Sequence, residues 1–169
     1  MKNKFAIVFL VLTMLIIAVG SAAGEIRESG RPGKTAISLG IVSYQGLGIE
    51  ARFKYNFYAE PLFETNNLSL EFFASLSSQG STYFMEVGGE GEYNFTPHKN
   101  YAIYLGLGAG YTGSSVGVIT WVPMTGFAFL SQGWEYFFSS NMSVDIKIKE
   151  VLTGPATYTG GAISLRYYW

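Results

Sequence analysis

From Leu47 to Phe57, apolar and polar side chains alternate without interruption. Leu47, Ile49, Ala51, Phe53, Tyr55 and Phe57 share one phase, and Gly48, Glu50, Arg52, Lys54 and Asn56 the other. Successive side chains of a strand point to opposite faces, so this spacing predicts a strand with one apolar and one polar face; a helical period fits it nowhere. The same two-faced pattern predicts seven more strands. The first runs from Thr35 to Ser43 and turns at Tyr44-Gln45-Gly46. The third runs from Leu68 to Leu76, after a connection at 59–67 that carries Pro61 and Asn66-Asn67. The fourth, Thr82 to Phe95, follows a turn at Ser77-Ser78-Gln79-Gly80 and carries Gly89 and Gly91 in its apolar phase, where a bulge is expected.

A turn at Thr96-Pro97-His98-Lys99-Asn100 leads to the fifth strand, Tyr101 to Tyr111, and a Gly/Ser loop is expected at Thr112 to Gly117. Phasing of the sixth strand is ambiguous around Pro123 and becomes clear at Gly133 to Phe138, where Trp134, Tyr136 and Phe138 oppose Glu135. The seventh sets Met142, Val144, Ile146 and Ile148 against Ser143, Asp145, Lys147 and Lys149, with a loop from Glu150 to Tyr158. The eighth ends the chain with Ile163, Leu165, Tyr167 and Trp169 on one face and Ser164, Arg166 and Tyr168 on the other. An even strand number places both termini on one side of a closed sheet. The expected fold is all-β, an eight-stranded antiparallel up-and-down barrel.

Composition narrows the setting. Residues 1–23 read as a signal peptide: Lys2 and Lys4 precede the apolar run Phe5 to Val19, and Ser21-Ala22-Ala23 supplies small residues for cleavage. Residues 24–169 then form one barrel domain. Without Lys2 and Lys4, nine basic residues face twelve acidic ones, which offers no broad basic surface for nucleic acid. Charged residues make up only 14% and aromatics 17% of the chain. There is no Cys, hence no disulfide and no lipid anchor at a Cys.

Alternation alone fits two arrangements. In an outer-membrane barrel the apolar face meets lipid and the polar face fills the lumen. In a soluble periplasmic lipid-binding barrel the apolar face is the core. Three features favour lipid. Strand five carries Ala102, Gly106, Gly108 and Gly110 on its polar face, a poor solvated surface but a fit for a crowded lumen. Aromatics gather at the strand ends near the termini: Tyr55, Phe57 and Tyr58; Tyr93 and Phe95; Tyr101; Tyr136, Phe137 and Phe138; Tyr167, Tyr168 and Trp169. The chain also stops on a strand aromatic. Tyr44, Trp121 and Tyr158, near the opposite end, read as interfacial anchors.

These residues resemble the small eight-stranded outer-membrane barrels, the class that includes the OmpA transmembrane domain and OmpX. The terminal Ile163, Leu165, Tyr167 and Trp169 resemble the signal read by the barrel assembly machinery, with Trp169 where Phe is commonest. Gly133-Trp134-Glu135-Tyr136-Phe137-Phe138 and Ser140-Asn141-Met142-Ser143-Val144 also resemble a hairpin of that family. The resemblance implies an outer-membrane location, a monomer surrounded by outer-membrane lipids, and periplasmic chaperones as partners during biogenesis.

The polar phase collects Glu50, Arg52, Lys54, Glu71, Glu86, Glu90, Glu92, Glu135, Asp145, Lys147, Lys149 and Arg166. A charge network filling the lumen is expected, because eight strands enclose an interior just wide enough for side chains. The alternative is a narrow pore for ions or small solutes, lined by Glu86, Glu90, Glu92 and Lys147. Catalysis is not expected. A hydroxyl nucleophile needs an imidazole beside it, and the one histidine, His98, falls in an expected turn. No Cys or His cluster suggests a transition metal, and no cofactor is expected. Gly106-Leu107-Gly108-Ala109-Gly110 contains GxGxG inside a strand, where it reads as packing rather than as a nucleotide loop.

Overall fold

A computed structural model describes residues 35–57, 67–98, 100–116, 120–121, 124–139, 141–154 and 157–169. The expected signal peptide, the connection at 59–66, and Pro123 lie outside them. The strands are β1 (Thr35–Ser43), β2 (Leu47–Phe57), β3 (Asn67–Gln79), β4 (Thr82–His98), β5 (Tyr101–Val116), β6 (Thr120–Trp121), β7 (Thr125–Phe137), β8 (Met142–Thr153) and β9 (Thr159–Tyr168). Each neighbour pairs antiparallel in the order β4-β3-β2-β1-β9-β8-β7-β5, and β4 pairs with β5. Eight strands thus close into a barrel, and the two-residue β6 lies beside the upper end of β5. Closure removes the unpaired edges that an open sheet would present.

The seam joins the two ends of the described chain. Ala36 faces Tyr168 and Ser43 faces Gly161, and the Trp169 N–H donates to the Thr35 carbonyl at 3.1 Å. One end of the barrel, here the terminal end, carries this seam and the β4–β5 and β7–β8 connections. The other, the distal end, carries the β1–β2 and β3–β4 turns and the segment before β9. Gly80, at φ +64°, makes the β3–β4 turn possible where a side chain would be strained.

Burial follows the alternation and inverts that of a water-soluble protein. Leu39, Leu47 and Leu107 are 65%, 69% and 64% exposed, while Glu71, Glu92 and Arg166 are fully buried. Among the described residues Glu150 is the one charged side chain on the outer face. No helix among them is long and apolar enough to cross a membrane, so any bilayer crossing is by strands.

Several strands are longer than alternation predicts. β3 continues through Gln79, β8 through Thr153, and β4 through His98. The expected turn at 96–100 therefore shrinks, because His98 pairs with Tyr101. The expected Gly/Ser loop after Tyr111 is instead the upper third of β5, where Thr112 to Val116 pair with Glu86 to Thr82. Ladder bonds are made by backbone, so a segment without alternation still extends when a neighbour offers it a partner. Gly89 and Gly91 cause no bulge: pairing runs unbroken through them, and the irregularities fall at Phe95/His98 and Ala128/Phe129. The ambiguous sixth strand is β7, with Phe127, Phe129, Ser131, Gly133, Glu135 and Phe137 inward.

The glycines of β5 make room for the inward side chains of the neighbouring strands, chiefly their partners on β7. A Cβ on Gly108 would collide with the Phe129 ring, one on Gly106 with Ser131 Oγ and Glu90, and one on Gly110 would lie 2.9 Å from the Phe127 ring. Gly133 on β7 does the same for Tyr104. The bare strand and the bulky inward residues are thus one feature, since a small barrel fills its interior by setting small against large.

Candidate functional site: the charged lumen

Every one of the twelve charged residues assigned to the polar phase points inward, and none is more than 4% exposed. Register decides who meets whom. Lys54 of β2 faces Glu71 of β3, which faces Glu90 of β4; Glu135 of β7 faces Asp145 of β8; Ser143 of β8 faces Arg166 of β9. Side chains from opposite walls then interleave.

Glu71 is the hub. It accepts from Lys147 Nζ at 2.5 Å and Arg166 Nη2 at 2.5 Å, and Arg52 Nη1 lies 3.6 Å away. Lys147 reaches two more carboxylates, Glu92 at 3.0 Å and Glu90. Arg52 also binds Glu50 and, at 2.6 Å, Asp145. Lys54 donates to Glu92 at 2.8 Å and to Asn94 at 3.0 Å. Arg166 binds Glu135 at 3.0 Å. Around these pairs hydroxyls complete the carboxylate shells: Tyr104 donates to Asp145 at 2.8 Å, Tyr168 to Glu135 at 2.5 Å, Ser69 to Glu92 at 3.1 Å, and Ser131 to Glu90. Lys54 and Lys147 both lie 5.3 Å from the centre of the Tyr104 ring. Removing such charges from water is costly, and attraction offsets the cost only when geometry is good and the remaining donors and acceptors are met. Here the partners come from strands on opposite sides, so the network cross-braces the barrel.

Glu71, Glu90 and Glu92 place oxygens within 4.8 Å of one another, the spacing of a cation site. The Lys147 ammonium binds all three, so the chain supplies the cation itself. The charged layer lies between two apolar ones. Ala36, Ala102, Phe137 and Tyr168 pack at the terminal end. Phe73, Phe127, Phe129 and Val151, with Val42, Tyr44, Ala162 and the half-buried Tyr158, pack at the distal end.

Aromatic positions correct the sequence reading at four points. Phe137 and Tyr168, expected in the interfacial girdle, are each 1% exposed and face the lumen. Tyr44 and Tyr158, expected as anchors, also face inward. The cause is parity: Tyr44 continues the phase of Val42, and Tyr158 that of Gly160 and Ala162. Tyr101, Phe138, Tyr167 and Trp169 remain on the outer face, and Tyr167 stacks on Trp169 at 6.4 Å. Of the terminal pattern, Ile163, Leu165, Tyr167 and Trp169 are all exposed. The side chains of His98 and Trp121 lie outside the described part.

Distal to the ion pairs is a cluster that alternation did not reveal. Lys149 Nζ lies 3.7 Å from the Tyr44 ring centre, 4.7 Å from Phe73, 5.3 Å from Phe129 and 5.4 Å from Phe127, and binds Glu86 at 2.6 Å. Glu86 also accepts from Gln45 Nε2 at 3.1 Å and from the Tyr158 hydroxyl. Gln45 donates further to Thr112 Oγ1 at 3.3 Å. The usable sequence signal was parity carried past the strand ends into the turns.

No protein-family model and no curated protein matches the chain. Its backbone is similar to those of several solved structures. The N-terminal β-barrel domain of Pseudomonas aeruginosa OprF aligns with TM-score 0.64 and 11% identity over 81% of this chain and 98% of that one. Ail, the attachment invasion locus protein of Yersinia pestis, aligns at 0.57 and 14% over 82% and 99%. Neisserial surface protein A aligns at 0.54 and 14% over 80% and 95%. Closed by eight antiparallel strands, with oily side chains outside and charges within, the chain has the fold of the small outer-membrane β-barrels.

Proposed function

We propose that this chain is a non-enzymatic outer-membrane β-barrel with a structural or envelope-interaction role, its lumen plugged by its own side chains. The observation that carries this reading is the inverted wall: exposed leucines, isoleucines and aromatics outside, and buried ion pairs inside. Such a surface suits acyl chains, and a closed barrel leaves no backbone group unpaired toward lipid. On this reading the terminal end faces the periplasm and the distal turns face outward. The outer wall contacts outer-membrane lipids as a monomer. Ile163, Leu165, Tyr167 and Trp169 serve the assembly machinery during biogenesis, with periplasmic chaperones, and residues 1–23 direct export.

Occupancy of the lumen supports the plug. Arg52, Lys54, Lys147 and Arg166 each bind carboxylates on other strands, and apolar layers flank them. Planar-bilayer recording tests it. The purified barrel is expected to show no steady conductance; steady currents abolished by substitution of Glu90 or Lys147 would establish the narrow-pore alternative. Spin labels at Phe53 and Leu105 test the membrane setting, with lipid-like accessibility expected at both. Aqueous accessibility there, together with a protein that stays in solution without detergent, would favour the soluble lipid-binding barrel.

A further inference from the structure

Among the described residues, the distal mouth of the lumen is covered by the side chains of Tyr44, Gln45 and Tyr158. Tyr44 and Gln45 come from the β1–β2 turn and Tyr158 from just before β9, on the β1/β9 side of the barrel. Gln45 and Tyr158 reach across to Glu86 of β4, and Gln45 also to Thr112 of β5, on the far side, while Tyr44 donates to Glu50 of β2. Gly46 holds the backbone of that turn tightly against β3, because a Cβ there would run into the Ser78 carbonyl. At that turn the cover therefore opens by side-chain rotation rather than by lifting of the backbone.

We propose that Gln45 and Tyr158, clasped on Glu86, form with the adjoining Tyr44 a side-chain lid that opens the distal layer of the lumen while the charged layer beneath stays closed. The contrast in fastening supports it. Below, each cation has two or more charged partners and the walls are ladder-bonded. At the mouth, among the described residues, Gln45 and Tyr158 share a single carboxylate, Gln45 adds one bond to the neutral Thr112 hydroxyl, and Tyr44 has a long 3.4 Å hydrogen bond to Glu50 besides its packing on Val42, Ala162 and Lys149. Regions with few fastenings open locally, ahead of the whole molecule. The vestibule exposed would be walled by Phe73, Phe127, Phe129 and Val42, with Lys149 as its one cation. The inference goes beyond the proposed function and holds whether or not the layer below conducts.

The absence of cysteine allows a direct test. Single cysteines are placed at Ala162, in the vestibule wall, and at Ser164, two residues deeper beside Asp145. Each is reacted with a charged methanethiosulfonate reagent in the folded, detergent-held barrel. Tyr158→Phe, which removes one hydroxyl and keeps the ring, is expected to speed labelling at 162 by about tenfold, since a hydrogen bond to a charged group is lost, and to leave 164 unchanged. Glu86→Gln is expected to act in the same direction and more strongly. Should Glu86→Gln fail to fold, Tyr158→Phe carries the test alone. Equal acceleration at both positions would mean that the whole lumen loosens, and no acceleration at 162 would mean there is no lid; either overturns the proposal.

Discussion

Two lysines on β8, Lys147 and Lys149, sit two residues apart, point into the same lumen and are held in opposite ways. Lys147 lies among three carboxylates from β3 and β4. Lys149 lies among four aromatic rings with one carboxylate. Both ammonium groups are removed from water. One is compensated by three carboxylates, and the other by a single carboxylate together with the negative faces of rings, which favour a cation over them. The comparison shows that the lumen is layered: a charge lattice in the middle and an amphipathic, aromatic chamber toward the distal mouth. It also teaches that a buried charge takes its meaning from the strands its partners sit on. Lys147 ties distant walls together through its three ion pairs, whereas Lys149 joins β4 through one ion pair and gathers rings from β3, β7 and the β1–β2 turn.

The largest effect is expected from Lys147→Met. Removing one partner of a buried ion network typically costs about 3–5 kcal/mol, because uncompensated charge is left behind. Urea titration of the folded band, read by its shift on unboiled gels, checks it. The same substitution at position 149 sharpens the contrast. Met suits an aromatic chamber, and Glu86 retains Gln45 and Tyr158, so Lys149→Met is expected to cost about 1–3 kcal/mol. Equal costs at the two positions would erase the distinction between the layers.

Adding Glu90→Gln to Lys147→Met is expected to recover about 1–2 kcal/mol. Glu71 and Glu92 keep Arg166 and Lys54, whereas Glu90 is left with the Ser131 hydroxyl. A thermodynamic cycle over the two substitutions measures the coupling directly. The smallest effect belongs to Tyr104→Phe. It removes one donor from Asp145, which still has Arg52 at 2.6 Å, so about 1 kcal/mol is expected in the same gel titration.

How much of this was legible beforehand depends on what kind of signal each feature leaves. The limits of β1 and β2 and the facing of all twelve lumen charges were readable, because a strand with different surroundings on its two sides must alternate. The upper part of β5 was not. Thr112, Gly113, Ser114 and Ser115 have no strong preference for either face, and their extension is dictated by β4 beside them. Which acid meets which base was equally hidden. Lys147 of β8 reaches Glu71 of β3 across the barrel, and that meeting depends on tilt and stagger, which no local pattern encodes. Tyr44 and Tyr158 were misassigned for a simpler reason. Aromatics near strand ends suggest interfacial anchoring, yet backbone parity, which persists beyond the last ladder bond, turned these two inward. The ammonium inside the aromatic chamber was invisible in sequence because its rings come from a turn, β3 and β7 at once.

The junction between β1 and β9 has a consequence for how such a molecule is made. Thr35 and Trp169 are 134 positions apart and yet bond to each other. Without β9 the cylinder cannot close, and β1 and β8 are left as two raw strand borders facing each other across a gap. Those borders would seek any other extended peptide nearby. Completion of shape therefore waits on a pairing between the first and the last described strands, and Trp169 serves as one tooth of that zipper.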